Sequence, residues 1–271
     1  MARLSVGIAL SGGTAKTVAH VGVLKALTEA GIRISHISGT SGGGIVGAMF
    51  AAGLSMPAME SVATTVSWRK LASIKLSRLG FISSAPIESF MRDAIGDVSF
   101  EDLEVPCVVV AANLVTGEKR AFRSGNVARA VRASCSIPQI YLPVEIDGEY
   151  YVDGGLVEFL PVQSLAALGC RFIIASHVGP VKSTYQRPHH ILQLVMQVTS
   201  LMARNNYLRS LELADFVIHP NLDRFNAFNL RSAERMVELG YNSTMERMDD
   251  LKSELKRKSR FWHRLIREPG P

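Results

Sequence analysis

The sequence lacks a long uninterrupted apolar segment. No stretch approaches the ~18 to 20 consecutive apolar residues of a membrane-spanning helix, so no such span is predicted. The first apolar run, residues 4–10, starts almost at Met1 and leads into glycines, with no basic leader and no cleavage site. A secretory signal peptide is therefore not expected. We expect a cytoplasmic protein that meets a membrane only at its periphery.

Cysteine is also scarce, and neither sign of charge is in large excess. The three cysteines, Cys107, Cys135 and Cys170, are odd in number and widely spaced, which argues against a disulfide framework and fits no metal-ligand pattern. We expect buried, reduced thiols, no metal and no cofactor. Charged residues make up 20% and hydrophobic residues 47% of the chain, a balance typical of a globular protein and not of a disordered one. The net charge of +6 suits an anionic surface but is too small to identify one, and we expect no nucleic-acid partner.

Apolar runs and helical periodicity alternate along the chain. Residues 4–10 and 32–37 are continuous apolar runs of strand length, and residues 18–30 between them have helical spacing. Continuous apolar strands that alternate with helices are typical of an α/β sheet buried on both faces. We therefore predict a three-layer α/β sandwich with a mostly parallel central sheet over residues 1–222. Residues 223–271 are predicted to be a helical extension packed on the same domain.

The stretch Gly39-Thr40-Ser41-Gly42-Gly43 is a G-x-S-x-G sequence between an apolar run and a run of small and apolar residues. This order predicts a strand, a tight turn and a helix, with the serine hydroxyl exposed at the helix amino terminus. Glycines flank the serine because neighbouring backbone comes close at a strained turn. Ser41 is therefore a candidate nucleophile for acyl transfer. The alternative is a glycine-rich turn that contains a serine by chance.

A nucleophilic serine also needs donors for the oxyanion, and the glycine turn after the first predicted strand offers them. The backbone N–H groups of Gly12, Gly13 and Thr14 are the candidates, and one such donor contributes roughly 2.7 to 4 kcal/mol. Because the carboxyl ends of parallel strands lie at the same edge of a sheet, we expect this turn to lie beside Ser41. Lys16 could support the turn electrostatically.

The base that activates the serine can be a histidine or an aspartate. Among the seven histidines, His177 is the best candidate because it ends a predicted strand, whereas His20 lies within a helix and is expected to be packed and hydrogen-bonded. Asp153 is better placed, since it ends a predicted strand and precedes Gly154 and Gly155. The alternative interpretation of Asp153 is an ordinary turn aspartate.

Together these motifs resemble the bacterial patatin-like phospholipases, which are serine acyl hydrolases with a Ser-Asp dyad. The resemblance covers residues 4–219 and includes the stretch 132–138. It implies the patatin-like fold, Ser41 as nucleophile, Asp153 as general base and a lipid or acyl-ester substrate, with no histidine in the dyad and no metal. The motifs that carry it are Gly12-Gly13, Ala19-His20-Val21-Gly22-Val23-Leu24, the G-x-S-x-G from Gly39 to Gly43, and Asp153-Gly154-Gly155.

The oxyanion turn departs from the family pattern. The family usually has Gly-Gly-Gly-x-Arg/Lys-Gly, whereas this chain has Thr14 in place of the third glycine, Lys16 as the basic residue and Thr17 in place of the last glycine. If the third position requires a positive φ, a β-branched threonine fits poorly. Two functions therefore stay open, a lipid acyl hydrolase and a catalytically weak or inactive patatin-like scaffold or regulator.

Two other classes fit the motifs less well. The segment from Gly12 to Thr17 resembles a phosphate-binding P-loop only superficially, because Ala15 and Leu10 stand where that loop needs glycine. An α/β-hydrolase with a Ser-His-Asp triad has several strands before its serine. Only the two apolar runs described above precede Ser41, which argues against that class.

Two basic segments could bring the protein to an anionic membrane. Residues 251–267 combine apolar residues and Trp262 with lysines and arginines, the pattern of a basic amphipathic helix that lies in a lipid interface. The alternative is a helix docked on the domain with a solvated basic face. Residues 69–84 are expected to be irregular, and the basic part, 69–81, could cover the site as a lid. The hypothesis is that one or both segments bring Ser41 to anionic lipid.

Overall fold

The computed structural model describes residues 4–68, 71–77, 80–179, 187–188 and 191–267. The strands are β1 (Val6–Leu10), β2 (His36–Thr40), β3 (Ser73–Ser77), β4 (Gly80–Ser83), β5 (Cys107–Asn113), β6 (Lys119–Phe122), β7 (Val144–Ile146), β8 (Glu149–Asp153), β9 (Phe172–Ser176) and β10 (Phe216–Ile218). The helices are α1 (Ala19–Glu29), α2 (Gly42–Ala51), α3 (Met56–Thr65), α4 (Ala85–Ile95), α5 (Val127–Ser134), α6 (Val162–Ala166), α7 (Ile191–Leu213), α8 (Ala233–Met245) and α9 (Met248–Arg267).

The main sheet has eight strands in the order β10-β9-β1-β2-β5-β8-β7, with β6 also paired to β5. The strands from β10 to β5 in this order run parallel to one another. The pairs β5–β6, β5–β8 and β7–β8 are antiparallel. The predicted α/β class with a mostly parallel central sheet is confirmed.

Side chains of the central strand β1 alternate between two hydrophobic clusters. Ile8 and Leu10 enter the cluster that also contains buried side chains of α1, α2 and α8. Ala9 enters the cluster on the other face, with Leu165 of α6 and Tyr207 of α7. Because every residue of β1 is buried, the continuous apolar run is the expected pattern of a strand covered on both faces. Helices cover both faces, which confirms the three-layer sandwich.

One edge of β5 is shared by two strands that meet end to end. β2 runs parallel along the first part, with Thr40 opposite Val110. β8 runs antiparallel along the last part, with Asp153 opposite Ala111. β6 occupies the other edge, since its pairing over residues 109–112 overlaps both of these. The carboxyl ends of β2 and β8 therefore face each other beside adjacent residues of β5.

Residues 71–77 and 80–84 are more regular than predicted. The expectation of an irregular segment over residues 69–84 is wrong for its described part, because β3 and β4 form an antiparallel hairpin with Ser73 opposite Ser83. Residues 69, 70, 78 and 79 lie outside the described residues, so the proposed lid stays a prediction.

The polypeptide after β10 is part of the core. A Cβ on Gly22 of α1 would lie 1.9 Å from the carbonyl oxygen of Val237, and one on Gly240 of α8 would lie 2.0 Å from that of Ala19. The two helices therefore touch backbone to backbone, which only glycine permits. Leu251 of α9 is also fully buried, so residues beyond 222 stabilise the same domain.

Helix α9 lies along the edge at which the parallel strands begin. Lys258 forms an ion pair with Asp215, which immediately precedes β10. The Lys258 ammonium also lies 5.6 Å from the ring centroid of Phe172, the first residue of β9. Ser41 follows the opposite end of its strand, so this basic helix lies at the other edge of the sheet from the candidate nucleophile. Within the described ranges, no helix is long and apolar enough to cross a bilayer.

Candidate active site

Ser41 lies on the sharp turn between β2 and α2. Its backbone has φ 54° and ψ −129°, a strained conformation for a residue with a side chain. The flanking glycines permit this turn, since a Cβ on Gly39 would lie 2.4 Å from the carbonyl oxygen of Gly43, and one on Gly43 would lie 2.5 Å from that of Leu10. The predicted strand, turn and helix are confirmed. As the N-cap residue of α2, Ser41 lies where the helix dipole favours negative charge.

Ser134 binds the backbone of Ser41 and Cys135 lies beside its side chain, and neither was assigned a role from the sequence. The Ser134 Oγ accepts a hydrogen bond from the Ser41 N–H at 2.8 Å and donates one to the carbonyl oxygen of Val110 at 2.6 Å. The buried Cys135 thiol contacts the Ser41 hydroxyl, and burial raises its pKa well above the ordinary value. Cys135 therefore stays protonated. The signal that could have found both residues is the family-like stretch 132–138, in which they lie.

Asp153 is the last residue of β8 and has 8% of its surface exposed. Its carboxylate accepts a hydrogen bond from the Gly155 N–H at 2.7 Å. Burial raises the pKa of this carboxyl to about 6, and the nearby Ser41 hydroxyl and the Gly155 N–H oppose that rise. A Cβ on Gly154 would lie 2.1 Å from the carbonyl oxygen of Val110, so glycine is needed for β8 to approach β5. The structure thus brings Ser41 and Asp153 together.

The glycine turn after β1 contains two backbone donors that remain available. Gly13 has φ 155° and Thr14 has φ 50°. Among the described residues, the N–H groups of Gly13 and Thr14 have no backbone acceptor. The Gly12 N–H, in contrast, donates to the carbonyl oxygen of Phe159 at 3.0 Å. A donor role for Gly12 would require that bond to break. Within the described part of the chain, the backbone donors of this turn without a backbone acceptor are therefore those of Gly13 and Thr14.

This turn packs directly against the first residue of α2. The Thr17 hydroxyl donates to the carbonyl oxygen of Thr14 at 2.6 Å, and a Cβ on Gly42 would lie 2.3 Å from the same hydroxyl oxygen. Thr17, which replaces a glycine of the family pattern, therefore fits because Gly42 has no side chain. The two turns are neighbours, as expected from strands that end at the same edge.

The segment after β10 holds the glycine turn from outside, which the sequence did not predict. The carbonyl oxygen of Ala227 accepts hydrogen bonds from the Ala15 N–H at 2.8 Å and from the Thr14 hydroxyl. Lys16 is buried, and burial lowers its pKa while the nearby Asp223 carboxylate opposes that change. Thr14 therefore adopts a positive φ because contacts from a distant part of the chain fix it.

In the part of the chain that the structure describes, His20 and His177 form no hydrogen bond with Ser41. Both ring nitrogens of His20 are hydrogen-bonded, at 2.8 and 3.0 Å, as expected for a packed histidine. His177 is fully buried between the rings of Tyr207 and His219, and burial lowers its pKa to about 3. Neither of its ring nitrogens has a hydrogen-bond partner among the described residues. No group of His, Cys, Asp and Glu side chains in this part of the chain is arranged to hold a metal ion.

An apolar cleft extends from Ser41 between α2, α3 and α4. Its free space is about 730 Å³, counting the open mouth. Trp68 lies at one side, and its Nε1 donates to the carbonyl oxygen of Phe228 at 2.6 Å. A cleft of this shape and composition suits a flexible hydrocarbon chain. Its apolar walls include Ile45, Met49, Val62, Val66 and Phe90.

Comparisons with known proteins show the family and the fold that this chain resembles. The family model described as patatin-like phospholipase matches residues 8–166. An uncharacterised NTE family protein of Mycobacterium tuberculosis is 34% identical over 185 residues, which are 65% of this chain and 51% of that protein. Lysophospholipase NTE1 of Mycosarcoma maydis is 24% identical over 277 residues, 91% of this chain and 15% of that protein. The chain thus spans about half the length of the first relative and less of the second.

Among solved structures, VipD from Legionella pneumophila is similar with a TM-score of 0.61 and 15% sequence identity. The match covers 92% of this chain and 67% of that chain. At this identity the likeness shows a shared fold alone, and that fold is the three-layer sandwich described above.

Proposed function

The chain belongs to the patatin-like phospholipase family, and on that premise we propose that it is an acyl hydrolase that cleaves carboxyl esters of phospholipids or lysophospholipids. The reaction proceeds through an acyl-enzyme on Ser41, with Asp153 as the base. The observation that carries the proposal is the meeting of β2 and β8 on β5, which sets a serine with positive φ against a buried carboxylate. The substrate class is taken from the family and from relatives named lysophospholipase.

Asp153 takes the proton of the Ser41 hydroxyl as the Oγ attacks the ester carbonyl carbon. A carboxylate with a pKa of about 6 is a stronger base than an ordinary aspartate and is still ionised at neutral pH. The bond from the carbonyl carbon to the alcohol oxygen then breaks, and Asp153 returns the proton to that oxygen. Water next attacks the acyl-enzyme and loses a proton to Asp153, and the acid leaves as Ser41 regains its proton.

The oxyanion is stabilised by backbone donors that need not reorganise. The proposed donors are the N–H groups of Gly13 and Thr14, each contributing roughly 2.7 to 4 kcal/mol. The dipole of α2 adds to their effect because the reacting carbon lies at its amino terminus. Ser134 binds the Ser41 N–H, so the nucleophile turn stays fixed while charge develops.

The apolar cleft is the proposed acyl-chain site, because it begins at Ser41 and its walls are aliphatic and aromatic. Burial there removes hydrocarbon from water, which contributes roughly 0.8 kcal/mol for each methylene group. Cys135 also lines the cleft, but its raised pKa keeps it a thiol. It therefore does not compete with Ser41 as the acyl acceptor.

A scaffold or regulator without activity is the competing function, and Thr14 and Thr17 suggested it. Two contacts weigh against it. The Ala227 carbonyl oxygen binds the Thr14 hydroxyl at a positive φ, and Gly42 leaves room for Thr17. Both threonines therefore fit a turn that still presents backbone donors.

Hydrolysis of p-nitrophenyl esters of graded chain length tests the proposal. We expect Ser41→Ala and Asp153→Asn each to lower kcat by roughly 10³-fold or more, and longer chains to lower KM until the cleft is full. Exposed positions in α4 offer matched controls, and Ser89→Ala and Asp93→Asn should leave the rate unchanged. A fluorophosphonate should label the wild type and not Ser41→Ala.

Two results would contradict this account. A well-folded wild type that neither reacts with the fluorophosphonate nor hydrolyses any ester would support the scaffold. Full activity of Asp153→Asn, together with loss of activity in Ser41→Ala, would remove Asp153 from the dyad and leave the base unidentified.

A further inference from the structure

Helix α7 is longer than the sheet layer it covers. It connects the end of β9 to the start of the parallel strand β10, so it runs antiparallel to these strands. The ring of Tyr207 stacks on His177, the residue after β9, at 4.6 Å between centroids. The Asn206 side chain donates to the carbonyl oxygen of Leu156, in the turn after β8, at 3.1 Å. The part of α7 before Asn206, roughly 22 Å long, therefore extends past the edge of the sheet that carries the candidate site.

This projecting half of α7 exposes a row of aliphatic side chains. Leu194, Val198 and Leu201 are 45%, 46% and 44% exposed, and their spacing of four and three residues places them on one face of the helix. We call them the α7 stripe. Residues 191–203 contain no charged side chain. Exposed large aliphatic residues in a contiguous row mark an interaction surface.

A second exposed apolar pair lies at the same edge on the other side of Ser41. Leu114 and Val115, which directly follow β5, are 51% and 77% exposed. In the sheet order, β2 lies between β9 and β5. The candidate nucleophile at the end of β2 therefore lies between the α7 stripe and this pair.

We propose that the α7 stripe is a lipid-docking surface, which seats in the interface of a membrane and holds the Ser41 edge of the domain against it. The inference rests on the proposed function, because a lipid substrate must pass from a bilayer into the apolar cleft at this edge. An uncharged apolar helix face suits insertion between lipid headgroups. It does not suit nucleic acid, whose binding depends on cationic contacts.

Co-sedimentation with phosphatidylcholine vesicles tests the surface without turnover when all variants carry Ser41→Ala. We expect Val198→Glu and Leu194→Glu each to weaken vesicle binding by roughly tenfold or more, since each removes aliphatic burial and adds a charge to the interface. Binding of the parent should persist at high salt, because the residues of the α7 stripe carry no charge. In the Ser41-containing protein, the same substitutions should lower the rate on vesicles and leave the rate on soluble p-nitrophenyl butyrate within about twofold.

The matched control is Leu213→Glu. Leu213 is the last residue of the same helix, is 54% exposed and lies toward the opposite edge of the sheet, so its substitution should leave vesicle binding unchanged. Val198→Ser, which adds no charge, should give an intermediate loss and shows that the effect does not come from misfolding.

The outcomes separate this inference from the proposed chemistry. Unchanged vesicle binding in Val198→Glu and Leu194→Glu, with soluble-ester hydrolysis intact, would overturn the docking surface alone. A change in oligomeric state on gel filtration, in place of a change in vesicle binding, would make the stripe a contact between two copies and would also overturn it. Stripe-dependent vesicle binding by a protein that hydrolyses no ester would support the surface and contradict the proposed function.

Discussion

The part of α7 before Asn206 and helix α9 lie at opposite ends of the parallel strands and expose different chemistry. Before Asn206, α7 exposes Leu194 and Val198 within an uncharged stretch, at the edge that carries Ser41. α9 exposes Lys256 and Arg257 near the edge at which the strands begin. The net charge of +6 is therefore a poor guide to the surface that surrounds the site, because a cluster of basic residues on α9 lies at the far edge of the sheet.

Strained backbone is found at the Ser41 edge of the sheet. Thr14 and Ser41 both have positive φ, and both line the apolar cleft. Strained residues persist only where the surrounding contacts fix them. Here the contacts are glycine backbones that pack without a Cβ and the carbonyl oxygen of Ala227. The edge that carries the candidate site is thus the edge where small changes in volume should matter most.

A methyl group at the Ser41 turn should give the largest effect. In Gly39→Ala the new Cβ would lie 2.4 Å from the carbonyl oxygen of Gly43, so the turn must shift and Ser41 moves away from Asp153. We expect kcat on p-nitrophenyl butyrate to fall by at least roughly 10²-fold, the usual cost of an ångström of misplacement. Gly47→Ala in α2 is the control, because its Cβ would lie 3.6 Å from the nearest atom. It should keep full activity and raise the free energy of unfolding by ~0.5–1 kcal/mol, and equal losses in both variants would contradict the account.

Asp153 should couple activity and stability to pH in opposite directions. Its pKa is raised from 3.8 to about 6, so kcat/KM should fall about tenfold for each pH unit below 6 as the base becomes protonated. The folded state binds this proton more tightly than the unfolded state does. The proton bound to Asp153 therefore stabilises the folded state below pH 4. This stabilisation, up to ~3 kcal/mol in the free energy of unfolding, is lost as the pH rises through 6.

Asp153→Asn separates the two effects. The variant should be inactive, yet at pH 8 its free energy of unfolding in urea should exceed that of the wild type by up to ~3 kcal/mol, while at pH 4 the two should agree. An Asp93→Asn control, at an exposed carboxylate, should show neither change. Wild-type activity that stays constant from pH 8 to pH 4.5 would mean that the base is another group.

Much of this edge could be predicted from the sequence because its parts are local. G-x-S-x-G predicts a strand, turn and helix wherever it follows a buried strand, and Asp153-Gly154-Gly155 marks the end of another strand. The meeting of β2 and β8 on one edge of β5 could not be predicted, because it depends on pairing between residues distant in the chain. The roles of Ser134 and Ala227 escaped prediction for the same reason.

The position of α9 shows the same limit. Its basic amphipathic pattern correctly predicts a helix, and Leu251 shows that one face is buried in the core. Periodicity does not say at which edge of the sheet a helix packs. The hypothesis that α9 brings Ser41 to anionic lipid therefore does not account for the position of α9 at the edge opposite Ser41. The exposed row on α7 could not be predicted either, since the burial of a helix must be known before its exposed residues can be recognised.

The contact between Thr14 and Ala227 should have a moderate effect. Thr14→Ala removes the hydroxyl that fixes the positive φ, so the oxyanion donor loses its position in part of the population. We expect kcat to fall roughly threefold to tenfold and the free energy of unfolding to fall by about 1 kcal/mol. Thr14→Ser retains the hydroxyl and should behave like the wild type, so a serine variant as impaired as the alanine variant would show that this contact is not the cause.

The smallest effect is expected from charge on α9. Lys256 and Arg257 are exposed, with 78% of the Arg257 side chain accessible, and each cation near an anionic leaflet contributes about 1 kcal/mol at low salt. In Lys256→Gln with Arg257→Gln, binding to anionic vesicles should weaken roughly threefold to tenfold at low salt and should not differ from wild type at high salt. Truncation after Asp249 is not an equivalent test, because it removes the buried Leu251 and destabilises the domain.

The rate of hydrolysis shows whether vesicle binding through α9 increases turnover. A surface held by α9 faces the edge opposite Ser41, so added anionic lipid should raise the amount of bound protein without raising turnover per bound molecule. Lys256→Arg, which keeps the charge, should bind and turn over like the wild type. If the two glutamine substitutions lowered hydrolysis of uncharged vesicles as strongly as Val198→Glu does, both helices would have to reach the same membrane surface. The position of the α7 stripe and of α9 at opposite edges of the sheet would then have no functional consequence.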